Sequence, residues 1–279
     1  MPKVWDKLTA SDVKIAVVDT GIDYTHQDLF LNAPGPGFNA ITGKEDGMDD
    51  QGHGTHCAGT IAAIGGNFEG VVGVNWKAEV LPAKFLDSSG SGSTANAITA
   101  IDWALKQGAK VFSNSWGGGG SSKALEDMIK KVCSAGGVFI AAAGNSKSNN
   151  DLSPTYPASY DLPCVISVAA TDQDDKLADF SNYGKSVSIA APGVAILSTI
   201  PGNRYASYSG TSMATPHVAG VVALMLTKEP TLSAQTILAT LQKTADPINL
   251  ECPWWRKWWS GCKTLGGGRL NAFKALSAL

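Results

Sequence analysis

The sequence is poor in charge and has no surplus of one sign. Only 16% of its 279 residues are charged, and 22 basic against 24 acidic side chains give a net charge of −2. Because nucleic-acid-binding proteins carry a clustered basic excess, we expect no nucleic-acid partner. No run of about 18 apolar residues occurs, which excludes a transmembrane helix. The residues after Met1 also lack the apolar segment of a secretory signal.

Histidine is scarce, and cysteine is present in an odd number. The four histidines are His26, His53, His56 and His217. Five cysteines leave at least one thiol unpaired within a monomer. His53, His56 and Cys57 are close in sequence, but no second group of cysteines or histidines completes four ligands, which argues against zinc.

Short apolar runs rich in valine, isoleucine and alanine alternate with longer helical segments. Such nearly continuous runs are typical of strands buried on both faces of a sheet. We expect strands at 13–18, 80–85, 111–115, 138–142 and 165–169, and helices at 53–64, 94–107, 121–134 and 212–227. The alternation predicts an α/β fold, with one domain over residues 1–279 and a mostly parallel, twisted sheet covered by helices on both faces.

Three chemically active side chains stand at the ends of these elements. Asp19 ends the first strand, His53 lies between two glycines at a helix start, and Ser212 opens an apolar helix. Each alone has an ordinary explanation as a strand-end or helix-capping residue. Together they supply a hydroxyl nucleophile, a base that titrates near neutrality and an acid that orients the base. The chain order Asp, His, Ser is one of the orders found in such triads.

The segments around these residues resemble the subtilisin-like serine proteases, the subtilase family. The matching motifs are Val18-Asp19-Thr20-Gly21, His53-Gly54-Thr55-His56 and Gly210-Thr211-Ser212-Met213-Ala214-Thr215-Pro216. The resemblance covers about residues 5–278 and implies a serine endopeptidase that cleaves proteins through an acyl-enzyme on Ser212. It further implies that Asn145, at the end of an apolar strand, donates a hydrogen bond to the oxyanion.

Two other functions remain open at this point. One is a subtilase-like binding or structural protein without turnover, and the other is a peptide ligase or esterase engineered on the same scaffold. The complete set Asp19, His53, Asn145 and Ser212 argues against the first. The intact Ser212 favours hydrolysis over the second.

The resemblance also implies a cleft in which the substrate backbone pairs with a strand edge. This edge carries Ser115, Trp116 and Gly117, and the opposite wall of the S1 pocket carries Ala142, Ala143 and Gly144, with Thr155 near the base. Trp116 has two interpretations: its side chain forms a wall of the S1 and S4 pockets, or it packs beneath the loop. Since Ser146 places no carboxylate after Asn145, we expect broad specificity with apolar or aromatic residues preferred at P1.

Asp50 precedes His53 by three residues and has two interpretations. It matches the position at which some basic-selective relatives carry an acid in the S2 pocket, or it lies in a solvated turn. The sequence does not decide between the two.

A structural calcium ion is implied by the same resemblance. Asp28 matches the family segment whose aspartate binds calcium strongly, and Asn67, in the loop 64–71, is its expected partner. Carboxylate, amide and loop carbonyl oxygens are the ligands that calcium prefers. Glu69 is an alternative ligand, and the other interpretation is that Asp28 only caps a turn.

The cysteines favour secretion. Cys57 matches the thiol-containing branch of the family, and a thiol buried in a helix is expected to stay reduced. We expect a disulfide between Cys252 and Cys262, and one between Cys133 and Cys164 if the strands beside them are neighbours. Two bridges and one free thiol suit an extracellular protein, and we expect a monomer.

Residues 252–262 form a tryptophan-rich, cysteine-flanked segment that has no counterpart in the resemblance. It contains Trp254, Trp255, Trp258 and Trp259 around Arg256 and Lys257. Aromatic rings beside two cations suit contact with a membrane or with an insoluble substrate. The alternative is a lid packed on the protein.

Serine at all four of these tryptophans tests the contact hypothesis. We expect turnover of a small peptide to stay nearly unchanged and binding to anionic vesicles or insoluble protein to fall, because exposed aromatic patches usually mark contacts. Collapse of small-peptide turnover, or unfolding, would instead identify the segment as a lid or a part of the cleft.

Overall fold

The computed structural model describes residues 1–248, 250 and 264–279. The predicted Cys252–Cys262 disulfide and the tryptophan patch at 254–259 lie outside the described residues. Within the described part of the chain, no helix is long and apolar enough to cross a bilayer.

Strands and helices alternate along most of the described chain. The strands are β1 (Ala10–Asp19), β2 (Phe38–Asn39), β3 (Lys77–Lys84), β4 (Val111–Asn114), β5 (Val138–Ala142), β6 (Val165–Thr171), β7 (Ile189–Pro192), β8 (Ile196–Ile200) and β9 (Arg204–Tyr208). The helices are α1 (Pro2–Trp5), α2 (His53–Ala62), α3 (Thr94–Lys106), α4 (Lys123–Ser134), α5 (Thr211–Lys228), α6 (Ala234–Thr244) and α7 (Ala272–Ser277).

One parallel sheet organises the molecule. Its strand order is β2-β3-β1-β4-β5-β6-β7, and every adjacent pair is parallel. The chain order therefore reverses between β1 and β4. In open α/β sheets, ligands bind in the crevice outside the carboxyl ends of the strands at such a reversal. Asp19 ends β1 and Ser115 follows β4, so both lie at this crevice.

Helices cover both faces of the sheet, as the sequence predicts. Along β1, Ile15 and Val17 face the core shared with α2, α5, α6 and α7, whereas Ala16 and Val18 face the core shared with α3 and α4. The period of two within a strand produces this division. Helix α5 has an almost entirely buried surface, which explains why its sequence is apolar on all sides.

The pairing of Cys133 with Cys164 is confirmed. Cys133 lies in the last turn of α4 and Cys164 directly precedes β6, and a disulfide joins them with their Cα atoms 5.3 Å apart. The pairing follows from topology, because α4 leads into β5 and β5 lies beside β6. Cys57 is a free thiol and is buried, also as expected.

The segment between residues 185 and 210 differs in detail from its sequence pattern. The sequence has two further apolar runs here, at 187–190 and 194–200, which it predicts to be strands linked by a turn. Both contain strands, but these belong to different sheets: β7 extends the parallel sheet, while β8 pairs with β9 in an antiparallel hairpin. Strand β9 was not anticipated. Its residues are exposed or half-buried, so they lack the apolar pattern by which the other strands are recognised.

Candidate active site

Asp19 and His53 are joined by a hydrogen bond at the carboxyl end of β1. Asp19 is fully buried, and its Oδ1 lies 2.8 Å from Nδ1 of His53, the first residue of α2. Since a carboxylate can only accept, Nδ1 carries the proton of the neutral ring and Nε2 is left as its basic atom. The backbone N–H of Thr20 donates to the same Oδ1 at 2.7 Å and holds the carboxylate in place.

The surroundings of His53 favour its protonated form. Burial of the ring lowers its pKa, but the Asp19 charge, the hydrogen bond to Asp19 and the more distant Asp49 charge outweigh burial. The pKa of His53 therefore lies above its ordinary value. A general base must be neutral to accept a proton, so a raised pKa moves the acid limb of a base-catalysed reaction to higher pH.

The glycine after His53 is required by a close backbone approach. A Cβ atom at Gly54 would lie 2.1 Å from the carbonyl oxygen of Gly21, in the turn after β1. Because a side chain would push α2 away from β1, Gly54 is what allows the imidazole to reach Asp19.

Ser212 lies in the first turn of α5 and is held by reciprocal contacts with Ser115. Its hydroxyl donates to the Ser115 carbonyl at 3.0 Å, and the Ser115 hydroxyl donates to the Ser212 carbonyl at 2.8 Å. The Cys57 thiol contacts the same Ser212 carbonyl at 3.5 Å. In this rotamer the Ser212 hydroxyl is directed to Ser115 and not to His53, and catalytic hydrogen bonds in ligand-free enzymes often align only when substrate binds.

The orientation of the Asn145 amide is fixed by its oxygen. Oδ1 accepts from both the backbone N–H and the hydroxyl of Thr211, each at 2.9 Å. The Nδ2 group of Asn145 therefore points away from Thr211 and towards Gly210. A Cβ atom built on Gly210 would lie 3.4 Å from this Nδ2 and 3.6 Å from the backbone nitrogen of Ser212. The two N–H groups thus lie near each other at Gly210, and Asn145 and Ser212 line the same cavity, where two such donors could bind one oxyanion.

A cavity of about 290 Å³ opens beside Ser212. Five of the predicted pocket residues line it, namely Trp116, Gly117, Ala142, Gly144 and Thr155. The other two do not. Ser115 lies behind Ser212, and Ala143 is fully buried, with its carbonyl accepting from the side chains of Asn150 and Asn182.

Trp116 combines the two roles that the sequence left open. Its ring lines the cavity and also packs edge-on against Phe85, with ring centroids 4.8 Å apart. The indole is therefore both a wall of the pocket and part of the packing beneath it.

Asn182 is a pocket residue that sequence reasoning missed. Its buried amide donates to Ala143, Asn150 and Thr155 at 3.0 to 3.2 Å and accepts from the backbone of Ser146. The residue thereby ties together both ends of the loop that forms one pocket wall. No signal in the sequence marks it, because a lone asparagine in a polar loop is indistinguishable from a turn residue.

Asp49 is a second residue whose importance was missed. It is buried, and its carboxylate accepts from the backbone of Gln51, Gly52 and Thr55 at 2.9 to 3.0 Å and from the Thr55 hydroxyl at 2.5 Å. These bonds fix the loop that leads into His53. The sequence shows only two adjacent acids, and nothing distinguishes the buried one from the exposed one.

Asp50, the exposed neighbour, is paired. Its carboxylate accepts from the buried Lys84 ammonium at 2.7 Å, and the same ammonium donates to the carbonyls of Thr20 and Leu86. Asp50 therefore acts as a counter-ion of Lys84 and is more than a solvated turn residue.

The remaining histidines have structural hydrogen bonds. His26 is fully buried, and its Nε2 lies 3.0 Å from the Arg204 carbonyl. His56 turns towards the β8–β9 hairpin, stacks on Tyr208 and contacts two backbone carbonyls. Burial lowers the pKa of His56 to about 4, so it stays neutral. His217 bonds the Met213 carbonyl within α5, as expected for a core histidine.

The Cys57 thiol lies close to Asp19 and His53. Its sulfur and ligand atoms of Asp19 and His53 lie within 4.8 Å of one another. Burial, followed by the nearby Asp19 charge, raises the pKa of this thiol well above its ordinary value. The thiol is therefore protonated near neutral pH.

The predicted calcium residues also come together. Asp28 is fully buried, and its carboxylate accepts from Asn67 Nδ2 at 2.7 Å, from the Val71 N–H at 3.0 Å and from the Tyr205 hydroxyl at 3.4 Å. Glu69 lies on the same loop and accepts from Gln27. Within the described chain no cationic side chain pairs with Asp28. The carboxylate is met by N–H and O–H donors but by no positive charge, and a buried carboxylate without a counter-ion favours a cation. Asp28, Asn67 and Glu69 carry the carboxylate and amide oxygens that calcium prefers, and the Asn67 amide would have to turn its oxygen to the ion.

Comparison with known proteins agrees with this geometry. The subtilase family matches residues 10–272, and the chain belongs to this family. Thermitase from Thermoactinomyces vulgaris is 42% identical over 99% of this chain and 92% of its own length, and subtilisin DY from Bacillus licheniformis is 43% identical over 84% of each chain.

Two solved structures share the fold. A cold-adapted subtilisin-like serine proteinase has a TM-score of 0.79, with 31% identity over 95% of this chain and 92% of its own. A protease from Pseudoalteromonas arctica has a TM-score of 0.86, with 31% identity over 99% of this chain and 93% of its own. The chain is a subtilisin-type serine endopeptidase and acts on protein substrates.

The role of Asp49 can be tested with Asp49→Asn. Loss of the charge should lower the pKa of His53 and move the acid limb of kcat/KM to lower pH. The Asp49 carboxylate accepts through both oxygens, two bonds on each, whereas the NH2 group of an asparagine cannot accept, so the loop should shift. A misplacement of about 1 Å lowers activity by up to about 10²-fold.

The matched control is Glu45→Gln, which removes an exposed carboxylate from the same loop. Both variants are measured as pH profiles on a small peptide substrate. An acid limb that stays in place in Asp49→Asn would contradict an electrostatic effect of Asp49 on His53.

Proposed function

We propose that Ser212 is the nucleophile, His53 the general base and acid, Asp19 the group that orients His53, and Asn145 a donor to the oxyanion. The observation that carries this assignment is the 2.8 Å bond between Asp19 and His53. It leaves Nε2 as the basic atom of a ring at the start of α2. The Cys57 sulfur, which is close to His53 and 3.5 Å from the Ser212 carbonyl, links this ring to Ser212.

The acylation step uses each of these groups once. A substrate carbonyl enters the cleft, and the Ser212 hydroxyl leaves the Ser115 carbonyl and turns to Nε2 of His53. Oγ attacks the carbonyl carbon while Nε2 takes the hydroxyl proton. Asn145 Nδ2 and the Ser212 backbone N–H bind the oxyanion. The protonated His53 then gives its proton to the leaving amine, and the peptide bond breaks.

Deacylation repeats the same chemistry with water. His53 takes a proton from water, the resulting hydroxide equivalent attacks the Ser212 ester, and the proton returns to the serine oxygen. Asp19 stays ionised and stabilises the imidazolium in both steps. The raised pKa of His53 is consistent with this stabilisation.

The S1 pocket supports a preference for apolar and aromatic side chains at P1. Its lining combines the Trp116 ring with the backbone of Gly117 and Gly144, and it contains no Asp or Glu among the described residues. A basic P1 side chain would lose water there without gaining a counter-ion. Peptides that differ only in Phe, Arg or Glu at P1 test this, and equal kcat/KM for Phe and Arg would contradict it.

Ser212→Ala should abolish both peptide hydrolysis and labelling by a fluorophosphonate, while the melting temperature stays close to that of the wild type. His53→Ala should be nearly as damaging. The measurements are casein cleavage, labelling and thermal unfolding on the same preparations.

His217→Ala is the control for histidine loss, because His217 serves the core of α5 and should mainly affect stability. Casein cleavage by Ser212→Ala would exclude Ser212 as the nucleophile. A folded His217→Ala protein that no longer labels would show that the wrong histidine has been assigned.

We further propose that Asp28, Asn67 and carbonyls of the loop 64–71 hold a structural calcium ion, with Glu69 at its rim. The ion supplies positive charge that compensates the buried Asp28 carboxylate and crosslinks two loops. The ion takes no part in the hydrolytic steps, which involve Asp19, His53, Asn145 and Ser212.

Removal of calcium should lower the melting temperature. A ligand that binds only the folded state stabilises it by about 2.7 kcal/mol at a free concentration 100 times its Kd. Excess chelator should therefore destabilise the wild type but have little further effect on Asp28→Asn. Asp12→Asn, at an exposed position in β1, is the matched control. A melting temperature that chelator does not change would rule the site out.

Secretion and a monomeric state complete the proposal. The Cys133–Cys164 disulfide supports an oxidising compartment. All the proposed catalytic groups lie on one chain, so no second copy is needed to complete the site. Detection of the protein in the culture medium and its mass by light scattering test the two statements.

A further inference from the structure

An apolar groove with a cationic rim lies on the face of the sheet that carries α5. It has a volume of about 220 Å³ and is formed by α1, the end of α5 and α7. Its floor consists of Val4, Leu8, Phe273 and Leu276, and its rim carries three lysines, Lys3, Lys7 and Lys228. No acidic side chain lines it among the described residues.

The charges at the rim are not neutralised by carboxylates of the described chain. The ammonium groups of Lys3 and Lys7 lie 5.7 and 5.6 Å from the centroid of the Phe273 ring, so two like charges converge on one aromatic side chain. Lys228 donates to the Leu276 carbonyl at 2.8 Å. None of the three has an Asp or Glu partner in the part of the chain that the structure describes, whereas Lys14, Lys84, Lys106 and Lys123 each have one.

We propose that this groove binds an alkyl carboxylate, the anion of a medium-chain fatty acid. The apolar floor takes the chain, and the carboxylate lies between Lys3 and Lys7 and relieves their mutual repulsion. The groove is smaller than the roughly 300–1,000 Å³ of pockets for drug-sized ligands, which limits the chain length. The site is separate from the catalytic residues, none of which line it.

Octanoate is the probe, and its binding to the full chain is measured by calorimetric titration at neutral pH. We expect saturable binding and a rise in melting temperature that grows with octanoate concentration. Octanol lacks the charge, octylamine has the opposite charge and acetate lacks the chain, so each should bind more weakly. Turnover of a small peptide should be unaffected by octanoate.

The decisive variant is the double substitution Lys3→Gln and Lys7→Gln, which keeps an unbranched polar side chain at each position and removes both charges. It should weaken octanoate binding by about tenfold, the combined effect expected of two exposed ion pairs. The charge-matched control is Lys106→Gln with Lys123→Gln, on α3 and α4 at the opposite face of the sheet, which should bind as the wild type does.

Three results would overturn the proposal. Octanoate affinity that is unchanged in the Lys3/Lys7 variant, or that falls equally in the control, would show that the rim does not recognise the carboxylate. Octylamine binding as tightly as octanoate would show that the groove selects only for an apolar chain. Competitive inhibition of peptide hydrolysis by octanoate would place it in the catalytic cleft.

Discussion

The approach of α2 to the end of β1 is the constraint on which the site depends. The backbone at Gly54 lies so close to the Gly21 carbonyl that no side chain fits between them. This contact sets the distance between Asp19 on the strand and His53 on the helix. Overpacking generally costs about 1–3 kcal/mol, but here the larger consequence is geometric. A displacement of α2 moves the imidazole away from its carboxylate partner, even if the protein stays folded.

The other proposed catalytic groups are held in place by neighbouring side chains that take no part in the proposed reaction. Thr211 orients the Asn145 amide, Asp49 holds the loop before His53, and Asn182 joins the two ends of a pocket wall. Each group makes several hydrogen bonds in a buried setting, where an unmet bond is most unfavourable. Preorganisation of this kind means that the donors need not rearrange when the oxyanion forms.

Much of the fold was predictable, because its strands are buried on both faces. Apolar composition alone predicts strands at 111–115, 138–142 and 165–169, and these correspond to β4, β5 and β6. Asp19, His53, Ser212 and Asn145 were assigned through sequence motifs in which a reactive side chain stands close to a glycine. Asp49 and Asn182 could not be found in this way, because their importance comes from burial and partner geometry. Strand β9 was missed since its side chains are largely exposed and show no period.

The same reasoning explains why Ser115 and Ala143 do not line the cavity although their neighbours do. The sequence shows that these residues follow β4 and β5 at the crevice, but it does not show which way each side chain points. Side chains alternate between faces, so Trp116 and Ala142 reach the cavity while their neighbours turn inward. The inward residues serve the site through their carbonyls: Ser115 accepts from the Ser212 hydroxyl, and Ala143 accepts from Asn182.

Lys84 carries a buried charge that stabilises the backbone next to Asp19. Its ammonium has three donors, and all three are satisfied by the carbonyls of Thr20 and Leu86 and by the Asp50 carboxylate. Lys84 is paired in register with Asp19, so this cation anchors the turn that follows the catalytic strand. A basic side chain in the S2 pocket would have to compete with Lys84 for Asp50. Loss of Asp50 from that ion pair would leave a buried ammonium without its counter-ion, which opposes selection of basic residues at S2.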